Sequence, residues 1–471
     1  SYPHSWRSKA PIIYRNTPQW FAAVDKAVGD GQDTHGTTIR ERALTSIDEL
    51  VKWTPQTGRN RLYSMIEARP DWVLSRQRAW GVPLTCFTRK GLLPTDADYI
   101  LRDDTVNARI ADAFRAEGAD CWYEDGAKAR FFGDDFDHDE WDQVFDILDV
   151  WFDSGSTHSF VVRDRPDGSP DGIADVYLEG TDQHRGWFQS SLLTSVAIHG
   201  CAPYKGLLTH GFTVDQDGRK MSKSLGNVIP PQDVMNTLGA DILRLWIAST
   251  DFTKEMTVSH EILNRTSDTY RRIRNTARFL LANMAGFDPA NDQVANDDLV
   301  SLDAEMIRRT TELASKIMGH YARYEFSEVT QALHHFCVDD LGGFYLDIVK
   351  DRQYTLKPDS HARKSCQTAL YWITDALVRW MAPILSFTAQ EIWEAMPGER
   401  PHQFVFAVTE ADLPEANGRA QVNWQLIQSA KESVNQAIEA ARNDGLVKGS
   451  LSAEVALYAD GAVFDALTAL G

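Results

Sequence analysis

Lys220 and Lys223, set in Lys220-Met-Ser-Lys-Ser224, are the residues whose type and spacing most suggest joint chemistry. A β-prone run and a turn, Asp215-Gln-Asp-Gly218, precede them and Leu225-Gly-Asn227 follows, which predicts an exposed loop. Two ammonium groups flanked by the small hydroxyls of Ser222 and Ser224 can reach a polyphosphate and stabilise the charge on a departing pyrophosphate. Taken alone, such a pentamer is more often a solvated basic turn, so its surroundings must decide. A second candidate is Glu179, which closes the β-prone run Ala174-Asp-Val-Tyr-Leu-Glu179, with Asp182 and Gln183 just beyond. A carboxylate there can pair with a cationic amine such as an α-ammonium, or simply cap a helix.

These residues need a scaffold, and the hydrophobic pattern supplies one. Helical periodicity from Trp187 to Ile198 separates the run ending at Glu179 from a second β-prone run, Tyr204 to Val214. Strand, helix and strand at this spacing form a βαβ unit and imply a parallel sheet. Ligands of such sheets sit beyond the carboxyl ends of the strands, which points at Glu179 to Gln183, at His210-Gly211 and at the loop after Val214. Elsewhere the pattern predicts a strand around Pro11-Ile-Ile-Tyr-Arg, a helix over 38–56 and a short apolar segment at Trp72-Val-Leu. Residues 95–145 are polar and acidic, like a surface insertion. Apolar residues at three- and four-residue steps from about 260 to 396 predict a helical bundle, broken near Gly286 and Lys357. Its aromatic stripe, Trp372, Trp380, Phe387 and Trp393, is assigned to core. A helix over Trp424 to Asn443 and a β-prone run, Glu454 to Tyr458, close the chain. On the first long helix Arg271, Arg274 and Arg278 share one face, and Arg265 and Arg272 another. Such a face is either an RNA footprint or a solvated surface tied to nearby acids.

Composition narrows the class. The 471 residues carry a formal charge of −19, so nucleic acid binding must rest on local clusters of Lys and Arg. Cys86, Cys121, Cys201, Cys337 and Cys366 lie far apart, which suits a reducing compartment and gives neither a disulfide framework nor a cysteine zinc site. No apolar run approaches the roughly 20 residues of a membrane helix. The opening Ser1-Tyr-Pro-His-Ser-Trp lacks the features of a signal peptide and reads as a chain entered in mid-domain.

The lysine loop resembles the KMSKS motif of class I aminoacyl-tRNA synthetases. The resemblance extends to Thr209-His-Gly-Phe-Thr-Val-Asp215, Gly239-Ala-Asp-Ile-Leu-Arg-Leu-Trp246, Asp149-Val-Trp-Phe-Asp-Ser-Gly155, Tyr177-Leu-Glu-Gly-Thr-Asp-Gln-His-Arg-Gly-Trp187 and Ser75-Arg-Gln-Arg-Ala-Trp-Gly81. Arg244-Leu-Trp-Ile-Ala-Ser-Thr-Asp251 and Tyr270 to Leu281 are similar to the isoleucine-specific branch, and Ala382-Pro-Ile-Leu-Ser-Phe-Thr388 is shared more widely. The resemblance implies the second half of a Rossmann-like parallel nucleotide-binding sheet, followed by an all-α anticodon-binding helical domain. It implies a ligase that joins L-isoleucine to tRNA(Ile) at the expense of ATP with Mg2+, in the cytoplasm, without a membrane, and monomeric when full length.

The motifs carry roles with them. Lys223 would contact ATP directly, Lys220 would assist, Ser222 and Ser224 would shape the loop, and His210 and Gly211 would approach the nucleotide. Glu179, Asp182 and Gln183 would bind the amino acid or its adenylate. Trp151 and Trp187 would line a slot for a branched side chain, although a lone Trp more often packs in a core. Arg271, Arg274 and Arg278 would meet tRNA. In family terms, residues 1–30 are the returning tail of an editing insertion, 31–94 lead back into the catalytic domain, 95–145 are the acidic insertion, and 146–215 are the second half of the sheet. Residues 216–262 hold the KMSKS loop and stem-contact region, 263–415 the helical domain, and 416–471 the start of a junction region. Three family features are missing: an HxGH motif, the editing catalytic residues and the cysteine-rich zinc module. An amino-terminal partner fragment is therefore expected to complete the site. The alternatives are a valine–tRNA ligase and a non-catalytic tRNA-binding fragment.

Overall fold

The computed structural model describes residues 2–5, 8–76, 80–408, 412–415, 422–449 and 452–470. The chain divides into two compact units, Ser1–Gly211 and Phe212–Gly471.

The first unit runs β1 (Phe21–Ala22), α1 (Ile39–Thr45), β2 (Lys52–Thr54), α2 (Thr57–Glu67), β3 (Trp72–Val73), β4 (Ser75–Arg76), β5 (Phe87–Arg89), α3 (Asp104–Glu117), α4 (Ala127–Phe132), β6 (Trp141–Gln143), β7 (Ile147–Leu148), α5 (Val150–Gly155), β8 (Ala174–Gly180), α6 (Trp187–His199) and β9 (Tyr204–His210). β8 and β9 are parallel, with Glu179 opposite Thr209 and Gly180 opposite His210. The predicted βαβ unit is present, but the sheet has a third strand. β2 lies parallel to β9 on its other side, giving the order β2-β9-β8. The helix expected over 38–56 therefore ends early. A capping box between Thr38 and Glu41 starts α1, a π-helical turn extends it to Leu50, and the chain then enters β2. Trp53, read as a helical position, instead faces the core and donates its Nε1–H to the Ile47 carbonyl at 2.9 Å.

That core gathers Ala43, Ile47, Trp53, Leu62, Tyr177, Phe188, Leu192, Val196, Tyr204 and Leu207 from the sheet and from α1, α2 and α6. Arg42 is buried in α1, where Asp30 and Asp33 neutralise it and the Val196 carbonyl of α6 accepts from it. Alternation along β8 turns Tyr177 inward and leaves Val176 and Leu178 exposed on the opposite face. Among the described residues, β8 has no strand on its outer edge.

A further expectation fails in this unit, and the reading of residues 95–145 is filled out rather than overturned. The strand at Pro11-Ile-Ile-Tyr-Arg reduces to one bridge between His4 and Pro11, and Ile13 and Tyr14 are exposed; the strand forms later, at Phe21–Ala22 against β3. Residues 95–145 are more than a polar surface insertion. With β5 they build a small body around Phe87, Trp122, Phe131, Phe132 and Trp141, whose acids stay outside. It hangs from a neck in which β4 pairs antiparallel with β7 and β5 with β6.

The second unit begins with β10 (Thr213–Val214), α7 (Pro231–Thr237), α8 (Ala240–Ser249) and β11 (Met256–Thr257). The expected strand from Tyr204 to Val214 is thus two strands, the second pairing parallel with β11. The helices α9 (His260–Asn283), α10 (Ser301–Ala322), α11 (Phe326–His335), α12 (Leu346–Thr355), α13 (His361–Met381) and α14 (Ser386–Ala395) form the expected bundle. Its core includes Ile273, Leu280, Ile307, Leu333, Phe336, Ile373, Trp380 and Trp393. Inside it Asp303 is fully buried and held by Arg352, the Tyr345 hydroxyl and Ser365 Oγ at 2.6–2.9 Å. Phe387 departs from the aromatic core. Asp241 accepts from the backbone N–H groups of Phe387 and Thr388, which fixes the start of α14 and leaves the Phe387 ring 69% exposed. α15 (Trp424–Asn443) matches its expected bounds. The run Glu454 to Tyr458 forms no strand, and α16 (Gly461–Thr468) follows it.

Candidate active site

At the carboxyl ends of β8 and β9 the first unit collects Glu179, Asp182, Gln183, His210 and Gly211. Glu179 is exposed at the tip of β8, its Oε1 accepting from the Gly180 N–H at 2.9 Å. Space at Gly180 is limiting: a Cβ there would lie 2.7 Å from Asp182 Oδ1 and 3.9 Å from His210 Cε1. Asp182 and His210 thus converge on the point where the paired strands end. His210 Nδ1 lies 2.8 Å from the Gly211 carbonyl, and Gln183 reaches back with Oε1 to accept from the Trp187 N–H at 3.1 Å.

The two tryptophans differ. Trp187 stacks on Tyr177, with centroids 4.1 Å apart and planes 8° from parallel, and donates Nε1–H to the Ser154 carbonyl. It is built into the wall. Trp151 is 41% exposed, and its ring edge rests on Gly186, where a Cβ would come within 2.7 Å of it. Below them Asp149 caps α5, accepts from Trp72 Nε1 and pairs with Arg76 at 2.8 Å. His184 is also buried here, its Nδ1 2.7 Å from the Thr181 carbonyl and its Nε2 without a hydrogen-bond partner among the described residues; burial lowers its pKa. Sequence reasoning passed over Trp80, which is 93% exposed and with Tyr123, Phe145, Asp120 and Asp153 lines a hollow of about 580 Å³. The rest of its motif, residues 77–79, lies outside the described residues. Burial beside Asp149 raises the pKa of Asp153.

The lysine loop belongs to the second unit. Met221 is its apolar foot, packed against a cluster of Val234, Trp246, Met256, Val258 and Leu263. Lys220 bridges to Val214 and holds its ammonium 4.2 Å from the centre of the Phe212 ring. Arg219 is taken up by Asp215 and Asp217 at 3.0 and 2.8 Å. Lys223 is exposed and pairs with no acid among the described residues, so the loop presents it as a free cation. Ser222 and Ser224 join through their hydroxyls at 3.1 Å.

A family profile described as tRNA synthetases class I (I, L, M and V) matches residues 7–259, and one described as the anticodon-binding domain of tRNA ligase matches 303–457. The chain belongs to the class I tRNA synthetases. Over 470 residues it is 56% identical to an isoleucine–tRNA ligase of Ruegeria pomeroyi, a match covering 100% of this chain and 48% of that protein. Over 476 residues it is 52% identical to the isoleucine–tRNA ligase of Chromohalobacter salexigens, covering 49% of that protein. The chain thus spans about half the length of the curated relatives it matches. Among solved structures, Mycobacterium tuberculosis methionyl-tRNA synthetase in complex with methionyl-adenylate shares the fold, with a TM-score of 0.57 at 17% identity over 88% of this chain and 71% of that one.

In this chain the arginines of α9 are not equivalent. Arg271 pairs with Asp268 on the surface, and Arg274 grips Glu391 of α14 with both terminal nitrogens at 2.7 Å. Arg278 and Arg272 are exposed and make no ion pair among the described residues. No helix among the described residues is long and apolar enough to cross a membrane.

Proposed function

We propose that this chain carries the adenylate-forming loop and the tRNA-binding domain of an isoleucine–tRNA ligase. The whole-chain identity to isoleucine–tRNA ligases carries the reading and speaks against the valine alternative. In the first step the isoleucine carboxylate attacks the α-phosphorus of ATP, forming the mixed anhydride isoleucyl-adenylate and releasing pyrophosphate. Glu179 holds the α-ammonium. Lys223, assisted by Lys220, meets the negative charge that builds on the leaving pyrophosphate, with Mg2+ accompanying the phosphates as part of the substrate. Ser222 and Ser224 set the curvature of the loop, and His210 and Gly211 lie along the nucleotide. Asp182 and Gln183 bound the adenylate, and Trp151 offers its exposed face to the aliphatic side chain over the rigid Trp187. In the second step a terminal ribose hydroxyl of tRNA(Ile) attacks the anhydride carbonyl, giving isoleucyl-tRNA and AMP. Arg278 and Arg272 are the guanidinium groups of α9 most available to phosphates, ahead of Arg271 and Arg274. Free thiols such as Cys86 and Cys201 fit a reducing cytoplasm.

The outer edge of β8, unpaired among the described residues, and the exposed Val176 and Leu178 support completion of the sheet by an amino-terminal portion, which would also supply the missing ATP-binding motif. The test is isoleucine-dependent exchange of pyrophosphate into ATP, with the amino-terminal half of the Ruegeria ligase co-expressed as complement. Exchange is expected only with both parts, and Lys223→Ala is expected to lower it by about 100-fold or more. Exchange indifferent to Lys223→Ala would overturn the assignment. Tight tRNA binding with no exchange would favour the non-catalytic reading.

A further inference from the structure

The loop that carries Lys220 and Lys223 is tied at its two ends to each other. Asp215, at the end of β10, uses one carboxylate oxygen to accept from the N–H groups of Asp217 and Arg219 at 3.0 and 2.9 Å. Its other oxygen accepts from Arg219 Nε at 3.0 Å and from the amide of Asn227 at 2.8 Å. Asn227, twelve residues on, turns its own carbonyl oxygen to the Ser222 N–H at 2.9 Å. One amide side chain therefore joins the first turn, through Asp215, to the second, through Ser222, and Ser222 lies between the two lysines. Asp215 is buried while Lys220 and Lys223 are exposed, so the tie lies beneath the face that bears the cations. Its four donors hold the Asp215 carboxyl down at about 2, leaving it ionised throughout the neutral range.

We propose that Asp215 and Asn227 are positioning residues, a latch that fixes the backbone at Ser222 and so presets Lys220 and Lys223 for a polyphosphate. The latch itself stands on geometry alone; its bearing on phosphate rests on the function proposed above. Without it, Met221 and the Val214–Lys220 bridge would still hold the first turn, whereas the second turn, residues 222–226, would sample open conformations.

The experiment is site-resolved limited trypsinolysis of the full chain, following cleavage after Lys220 and Lys223 with Arg115 as a surface control. Asn227→Ala is expected to speed cleavage after Lys223 about tenfold, the effect of losing one charge-assisted hydrogen bond and its partner, with cleavage after the bridged Lys220 moving less and the control site unchanged. Asn227→Asp sets two carboxylates against each other and should be faster still. The exchange Asp215→Asn with Asn227→Asp restores a donor facing an acceptor and should be slower than Asn227→Asp alone. The latch is overturned if Asn227→Ala cleaves at the wild-type rate, or if the exchange variant is no slower than Asn227→Asp. Mg-ATP at millimolar concentration, added with the amino-terminal half of the Ruegeria ligase co-expressed as complement, separates the two ideas. Protection of the wild-type loop, with about tenfold more ATP needed in Asn227→Ala, supports positioning; equal ATP dependence in the two overturns it. If ATP protects neither while Asn227→Ala still opens the loop, the polyphosphate reading fails and the latch survives.

Discussion

Trp151 and Trp187 look alike in the sequence, each followed directly by a phenylalanine, yet the structure gives them opposite mechanical duties. Removing Trp187 takes away a ring stacked on Tyr177 and an indole N–H satisfied by Ser154. Trp187→Ala is expected to destabilise the first unit by about 3–5 kcal/mol in a denaturant melt, whereas Trp151→Ala should cost well under half of that. If both variants melt alike, the distinction between wall and slot is wrong. A titrating residue sets the acid limit of the same unit. His158 is fully buried, 3.2 Å from Thr194 Oγ1 and edge-on to His199. Burial, then the neighbouring His199 and Arg163, push its pKa down to about 4 from the ordinary value near 6.5. The folded state thus favours the neutral ring, and stability falls as pH drops from 6.5 toward 4, by up to about 3 kcal/mol. In urea melts at pH 7 and pH 4.5, His158→Gln should show a smaller acid loss than wild type; an equal loss would show that other groups govern it. None of this was legible beforehand, because burial and ring stacking are tertiary facts. The residue types at the strand tips and in the lysine loop were legible, since their chemistry is local and their spacing follows the βαβ period.

Secondary structure was most readable where periodicity was long. α9 and α15 follow their apolar spacing closely and α6 matches its expected span although it is buried nearly all round, while β2 was hidden inside a helical pattern because Leu50, Val51 and Trp53 fit either period over so short a run. The strand expected at Pro11 goes no further than the single bridge to His4, and Ile13 and Tyr14 beyond it are left exposed. Within the bundle, Asp303 shows how one element depends on another. Its carboxylate ties α10 to Arg352 of α12 and Ser365 of α13 in a dry interior. Asp303→Ala leaves Arg352 without its counter-ion and is expected to cost about 3–5 kcal/mol, measured as a shift in the urea midpoint at constant slope. A change below about 1 kcal/mol would mean that water already reaches the cluster. At the sheet, Val176 and Leu178 form an exposed apolar strip on an edge strand. Leu178→Lys is expected to lower self-association in sedimentation and dye binding while blocking complementation by an amino-terminal portion. Unimpaired complementation would place that portion elsewhere.

At the scale of the whole molecule, two hydrophobic interiors of different construction lie on either side of the junction at Gly211 and Phe212. Calorimetry is expected to resolve two transitions, with Trp187→Ala moving one and Asp303→Ala the other; a single transition shifted by both would show that the units melt together. The neck of the small body offers a further lesson. Residues 75–76 and 147–148 run side by side in opposite directions, so the chain departs and returns through one doorway. Everything beyond that doorway, including the aromatic interior around Trp122 and Phe132, is an appendix that contributes no strand to the order β2-β9-β8. A tight hairpin from Arg76 to Ile147 could replace it while leaving β8 and β9 paired as they are.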